Sequence, residues 1–500
     1  MQNVGFTGAD FYYILPEIVL TAGALVVLLV DFVFRDRDDL TLPAALATLL
    51  VTAGVLFSFV GVDTTASRGL LAIDGFATLF KFVFLLTAVV TVLMSSSYLK
   101  VEGVRAGEYY FLILCATLGM MFMASGVDLI TLFIGLETMA VSFYILTGFL
   151  KPNQRSNEAS VKYYVLGAFS TGILLYGMSL LYAVSGSTNL GEIAAAVGAR
   201  SSGGLVILAV IFVGAGMAFK IAAVPFHMWA PDVYEGAPTP VTAFLSVGSK
   251  AAAFAMLLRI FVEGLPTIAA DWQAFFWWLA VLTMTVGNIA AITQSNTKRM
   301  LAYSSIAHSG YVLIGIVAGT SRGWTAAMVY LFFYMFMQLG AFAIVTMLRR
   351  RDVVGDELKD LSGLYFRSPF AAVAMLIFLL SLGGIPPTAG FMGKFWIFGA
   401  AIDAGTSGAS PLGTSLVWLA VIGVVNSAIS LFYYIRVVVF MWMKDEVMGS
   451  EITLGPAMAT ALGITLAGSI VFGIYPQPIF EQAQAAAATL GAAASVAVLP

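Results

Sequence analysis

The sequence predicts an all-α, polytopic membrane protein of about fourteen transmembrane helices, and three observations predict it. Hydrophobic residues make up 60% of the 500 and charged residues only 10%, against about a quarter charged in a soluble domain. Mean hydropathy is +0.96. Apolar stretches of about 20 residues recur throughout, each long enough to cross a hydrocarbon core of about 30 Å as an α-helix. They lack the alternation of barrel strands, so helices satisfy the backbone.

In chain order the spans fall near 12–33, 40–61, 75–98, 108–126, 128–150, 160–185, 204–230, 240–262, 272–293, 299–319, 324–348, 369–405, 414–442 and 454–474. The N-terminal MQNVGFTGAD has no basic n-region, so the first run reads as a retained helix rather than a signal peptide. Fourteen Lys and Arg, among them Arg35, Lys151, Arg155, Lys298, Arg299, Arg350 and Arg351, fall in odd-numbered loops. Only Arg68, Arg200, Arg259 and Arg322 fall in even-numbered ones. The positive-inside rule then places odd loops in the cytoplasm and both termini on the periplasmic side of a bacterial inner membrane.

Net charge is only −3 and the basic residues are scattered, which excludes nucleic acid as a partner. One cysteine, Cys115, with His227 and His308 cannot build a disulfide framework or a Cys/His metal site. No Gly-rich phosphate loop marks an ATPase. Six cations remain inside the spans: Lys81, Lys162, Lys220, Lys250, Lys394 and Arg436. Lys81 and Arg436 lie near span ends, where long stems snorkel to the interface. Lys162 follows Glu158 by one turn, so a surface i,i+4 pair competes with a functional role.

Lys220, Lys250, Lys394 and Glu137 lie nearer mid-span, where each charge costs about 2.5 to 3.5 kcal/mol on the lenient insertion scale. Such groups must be paired, hydrated or partly neutral, and a lysine whose carboxylate partner moves can load and release a proton. Hydroxyls one and two turns before Lys250 (Ser246, Thr242) and before His308 (Ser304, Ser305), with Tyr303 and Tyr311, suit a hydrated path.

Two spans are broken beside a lysine. KIAAVPFHMWAPDVYEGAPTP sets Lys220 five residues before Pro225, and SLGGIPPTAGFMGKFWIF sets Lys394 seven after Pro387. Proline opens a helix, and paired broken helices in two halves of a transporter mark ion sites. Glu137 precedes Lys220 by 83 residues and His308 precedes Lys394 by 86. Spans 4–8 and 9–13 each hold five helices, an odd number, so the second set is inverted. The expected organisation is three N-terminal helices (1–107), a first inverted repeat (108–263), a second (264–445) and a C-terminal helix with its tail (446–500). On residues alone this is a proton or cation translocator with two half-channels.

PFHMWAPDVYEGAPTP, KRMLAYSSIAHSGY, DLSGLYFRSP and SLGGIPPTAGFMGKF closely resemble the antiporter-like membrane subunits of NADH-quinone oxidoreductase, respiratory complex I, over roughly residues 108–445. Among that family's three bacterial paralogues, L, M and N, the chain is most similar to N: it ends soon after the fourteenth span and carries Lys394 where M has Glu. The resemblance implies that Glu137 and Lys220 pair in the first half-channel, with Lys162 modulating them. It further implies that Lys250 and His308 lie on a central hydrophilic axis and that Lys394 serves the second half-channel. It implies as partners the other membrane subunits of complex I, and no flavin, iron–sulfur cluster or NADH site in this chain. The expected function is proton translocation driven by quinone reduction in partner subunits. The alternative is a subunit of an Mrp-type or stand-alone cation/proton antiporter.

Overall fold

A computed structural model describes residues 8–34, 37–199, 203–349, 355–444 and 454–496. Arg35, Arg200, Arg350 and Arg351, counted above for orientation, lie outside the described residues. The helices are α1 Leu15–Val33, α2 Thr41–Phe57, α3 Gly75–Glu102, α4 Gly107–Ser125, α5 Leu129–Thr147, α6 Gln154–Ser185, α7 Gly204–Lys220, α8 Trp229–Gly236 and α9 Thr239–Glu263. Then follow α10 Ala269–Ile292, α11 Thr297–Val317, α12 Ser321–Met347, α13 Pro369–Gly383, α14 Ala389–Ser407, α15 Ser415–Met443, α16 Pro456–Ile474 and α17 Gln477–Val496. Among the described residues, eleven helical segments are long and apolar enough to cross a membrane, while α2, α7, α13 and Leu190–Ala199 are shorter apolar helices.

The helices pack in two tiers. α9, α11 and α12 form the interior, with α9 wholly buried. α1, α6, α15 and α16 lie outside and expose large apolar side chains such as Leu29, Phe169, Trp418 and Val424. An outer surface of this kind suits lipid. α12 touches α3, α11, α14, α16 and α17, which makes it the pillar of the interior.

Helix ends are closed by side chains or by glycine. Asp74 caps α3 by accepting from the Ala77 amide at 2.7 Å, and Asp128 caps α5. Gly103, with φ of 68°, ends α3 in the left-handed region, where glycine has no Cβ to clash.

Both expected breaks are present. α7 stops at Lys220 and α8 begins at Trp229. The freed backbone groups find partners there: the Val224 amide donates to Thr283 Oγ1 at 2.9 Å, and Trp229 Nε1 donates to the Phe219 carbonyl at 2.9 Å. The predicted 369–405 span divides into α13 and α14, with Gly384 at φ 84° as the hinge. α9 holds two π-helical turns, Leu245–Ser249 and Arg259–Glu263, and these flank Lys250. Such turns are frequent at functional sites.

Several expectations need correction. Lys81 does not snorkel: it is 3% exposed and pairs with Glu17 of α1 at 2.7 Å. Its ammonium finds its counter-charge in a carboxylate on a neighbouring helix. Arg259 is not in a loop. It is buried in α9, donates to both oxygens of Asp74 at 2.9 and 2.8 Å, and pairs with Glu263. Lys298 is also buried, in the first turn of α11, donating to the Ala237 carbonyl at 2.7 Å. Arg436 donates to the Ile292 and Gln294 carbonyls, closing the C-terminal end of α10. Elements not foreseen include a hairpin pairing Thr64–Ala66 with Leu71–Ile73, the short helix Leu190–Ala199, and α17, which lies against α3, α12 and the second π turn of α9.

Candidate functional site

α11 runs through the interior carrying Ser304, Ser305, His308 and Tyr311, all at most 2% exposed. Its position between α9, α12 and α15 decides what those side chains meet. Lys250 of α9 donates to the Ser305 carbonyl and to Ser305 Oγ, each at 2.6 Å. Ser246 and Thr242, expected to serve Lys250, bond instead to the Ala243 and Tyr234 carbonyls. One turn along α11, His308 uses both ring nitrogens. Nδ1 lies 2.6 Å from the Tyr330 hydroxyl of α12 and Nε2 3.1 Å from the Tyr434 hydroxyl of α15. Tyr434 in turn bonds Ser304. A hydroxyl both donates and accepts, so Ser304, Tyr434, His308 and Tyr330 form a chain of groups able to pass protons.

Lys394 of α14, 4% exposed, has the fullest set of partners. Its Nζ donates to the Leu382 carbonyl at 2.9 Å, the Gly383 carbonyl at 3.0 Å and Ser427 Oγ at 2.7 Å. Leu382 and Gly383 are the last residues of α13, so the ammonium sits at the negative end of a half-helix, where a cation is stabilised. Lys220 is its opposite. It is also 4% exposed and ends its own half-helix α7, yet among the described residues its Nζ has no hydrogen-bond partner.

Glu137 of α5 is half-buried and accepts a hydrogen bond from Thr171 Oγ1 at 3.0 Å. Among the described residues it forms no ion pair within 4 Å. Lys162 stands apart from the buried lysines, at the basic end of the molecule, with 43% of its side chain exposed. It pairs with Glu158 at 2.9 Å and Asp232 at 2.8 Å. Arg299 holds the other Asp232 oxygen at 2.7 Å, so α6, α8 and α11 are clamped by one carboxylate. Partial burial acts to raise the Asp232 carboxyl, but Lys162 and Arg299 outweigh it and hold it below the usual range. His227 lies half-buried in the first break.

The structure thus joins Lys250 to Ser305 directly and places His308 a turn away. Among the described residues it leaves Lys220, Glu137, Lys162 and Lys394 unlinked to these groups by hydrogen bonds. Residues missed from sequence are Tyr330, Tyr434, Asn288 and Ser427. Asn288 donates to Tyr311 and accepts from Tyr433 at 2.9 Å. The signal for it was present, since an Asn in mid-span seeks a partner on another helix.

A family model described as NADH:quinone oxidoreductase/Mrp antiporter, transmembrane, matches residues 126–430. NADH-quinone oxidoreductase subunit N 2 of Solibacter usitatus is 44% identical, covering 96% of this chain and 98% of its own. NADH-quinone oxidoreductase subunit N 1 of Koribacter versatilis is 46% identical over 94% of each. A solved chain of respiratory complex I from Thermus thermophilus, with bound aureothin, superposes with a TM-score of 0.77 at 32% identity, over 93% of this chain and 98% of that one. The chain therefore belongs to the NADH:quinone oxidoreductase/Mrp antiporter transmembrane family and, within it, to the subunit N proteins of NADH-quinone oxidoreductase.

Proposed function

We propose that this chain is the proton-translocating subunit N of a bacterial NADH-quinone oxidoreductase, moving protons through Glu137, Lys220, Lys250, His308 and Lys394 while quinone is reduced in partner subunits. The observation that carries this reading is the set of three lysines, each at most 4% exposed, with no carboxylate within 4 Å among the described residues. A lysine locked to an acid keeps its proton, whereas one held by carbonyls and hydroxyls can exchange it when those groups move.

The geometry suggests an order. Lys220 has no hydrogen-bond partner among the described residues, and Lys394 is fully solvated by protein acceptors. Charge entering at Lys220 lowers its energy by moving toward the second half-helix. Lys250 gives a proton to Ser305 Oγ as that hydroxyl passes its own toward His308, one turn away, and His308 receives on one ring nitrogen and releases from the other through Tyr330 or Tyr434. Lys162, with Asp232 and Arg299, holds the first break against α11 from the basic end. The segments 108–263 and 264–445 act as the two inverted half-channels, each with a broken helix whose lysine marks the path. The basic end faces the cytoplasm and both termini the periplasm.

Redox chemistry takes place in other subunits. Cys115 is the sole cysteine of the sequence, whereas an iron–sulfur cluster takes about four thiolates, and no resident cofactor is needed here. Lys220→Ala in the assembled complex is expected to lower protons translocated per quinone reduced; wild-type pumping would contradict the reading. The family model also covers Mrp antiporters, and that rival predicts unchanged NADH:quinone activity in membranes when this chain is deleted.

A further inference from the structure

Neither the Lys250–Ser305 bonds nor the hydrogen-bonded chain of Ser304, Tyr434, His308 and Tyr330 reaches Lys394. Between them stands Tyr311, 1% exposed. Its ring lies edge-on to His308, with centroids 5.5 Å apart and planes at 82°. Its face lies 4.9 Å from Lys394 Nζ, within the roughly 6 Å reach of a cation–π contact. The hydroxyl takes a different direction: it accepts from Asn288 Nδ2 of α10 at 3.1 Å. On the other side of the lysine, a Cβ on Gly384 would come 2.9 Å from Lys394 Cδ. The Lys394 stem is therefore hemmed in by the hinge, its three N–H bonds go to Leu382, Gly383 and Ser427, and the remaining face of the ammonium meets the Tyr311 ring.

We propose that Tyr311 is a positioning residue for Lys394: its ring face seats the ammonium against the end of α13, and its hydroxyl, anchored by Asn288, takes no part in relaying protons. This rests on the reading of Lys394 as a proton carrier. A proton-relay role would direct the hydroxyl at a neighbour on the path. Here an apolar ring separates His308 from Lys394, so the two communicate through charge and ring position. Asn288 keeps the ring in its plane.

The choice of side chain separates the two roles. Tyr311→Leu removes the ring, Tyr311→Phe removes only the hydroxyl, and a fluorinated phenylalanine in place of Tyr311 keeps the shape while stripping the negative face. Assembled complex in membranes is assayed for proton translocation coupled to quinone reduction, with Lys394→Ala alongside. The expected result is a loss of about tenfold with Tyr311→Leu, rescue by Tyr311→Phe, and renewed loss with the fluorinated ring. Equal losses in Tyr311→Leu and Tyr311→Phe would overturn the proposal in favour of a hydroxyl relay. Unchanged pumping in Tyr311→Leu would overturn it outright. If Tyr311→Leu fails to assemble, the fluorinated ring decides, since a merely steric role predicts that it pumps like Tyr311→Phe. Wild-type pumping in Lys394→Ala would instead sink the reading of Lys394 itself, whereas loss there with normal Tyr311→Leu defeats only the role of Tyr311.

Discussion

The buried cations of this chain are of two kinds. Lys81, Arg259 and Lys298 are matched by acids: Glu17 sits 2.7 Å from Lys81, Asp74 and Glu263 enclose Arg259, and Asp356 lies 3.7 Å from Lys298. Lys220, Lys250 and Lys394 are equally buried, yet among the described residues Lys250 and Lys394 bond carbonyls and hydroxyls and Lys220 bonds no partner. Matched charges in low dielectric are held by Coulomb attraction in one protonation state and so fasten helices: α1 to α3, and α3 to α9. Unmatched lysines pay for their burial by depending on neighbours that can move, and this dependence is what a proton carrier needs.

The comparison can be broken most sharply at Arg259. Arg259→Ala leaves Asp74 and Glu263 buried without a counter-charge, a loss of about 3–5 kcal/mol for a broken buried pair. The expected outcome is little or no assembled complex in membranes by native gel, whereas Lys250→Ala assembles. Normal assembly of Arg259→Ala would mean that its pairs hold nothing together. Next comes the Glu17 and Lys81 pair. Lys81→Met is expected to lower thermal stability of the purified complex and Glu17→Gln/Lys81→Met to regain most of it, because replacing both members of a buried pair is often neutral. A double variant no better than the single would assign Lys81 to the unmatched class.

Gly384→Ala sharpens the other side. It adds a Cβ at φ 84°, 2.9 Å from Lys394, and an L-residue in that region costs about 1–2 kcal/mol before the clash. Proton pumping should fall several-fold with assembly retained. Loss of assembly without loss of pumping per assembled complex would show the hinge to be structural only. The smallest effect is expected at Asp232. Because its carboxyl is held below the usual range, its clamp on Lys162 and Arg299 is fully present above the unfolded value of about 3.9. It is lost only as pH falls through the lower folded value. Activity between pH 8 and 5 should therefore differ little between wild type and Asp232→Asn in its slope, with a stability change of at most about 1 kcal/mol, as for an exposed pair.

Much of this was legible in the sequence for physical reasons. Hydropathy follows from lipid as solvent, so the spans were visible, and prolines at 225, 386 and 387 announced both breaks. Lysines in mid-span stood out because nothing else about an apolar run accounts for them. What was hidden depends on contacts between distant helices. Glu17 lies 64 residues before Lys81 and Asp74 185 before Arg259, so neither pairing leaves a local trace, and a cation near a span end reads as snorkelling. α17 was missed because alanine and glutamine are weakly hydropathic although alanine is the best helix former. Tyr330 and Tyr434 look like ordinary core aromatics until their hydroxyls are found on His308.

Lys250 gives the most direct test of the central claim. Among the described residues its Nζ is bonded only to Ser305 and no acid lies within 4 Å, so its removal unbalances no described carboxylate. In assembled complex carrying Lys250→Ala, protons translocated per quinone reduced should fall well below wild type while the amount of complex in the membrane is unchanged. An unaltered proton-to-quinone ratio at full assembly would contradict the account.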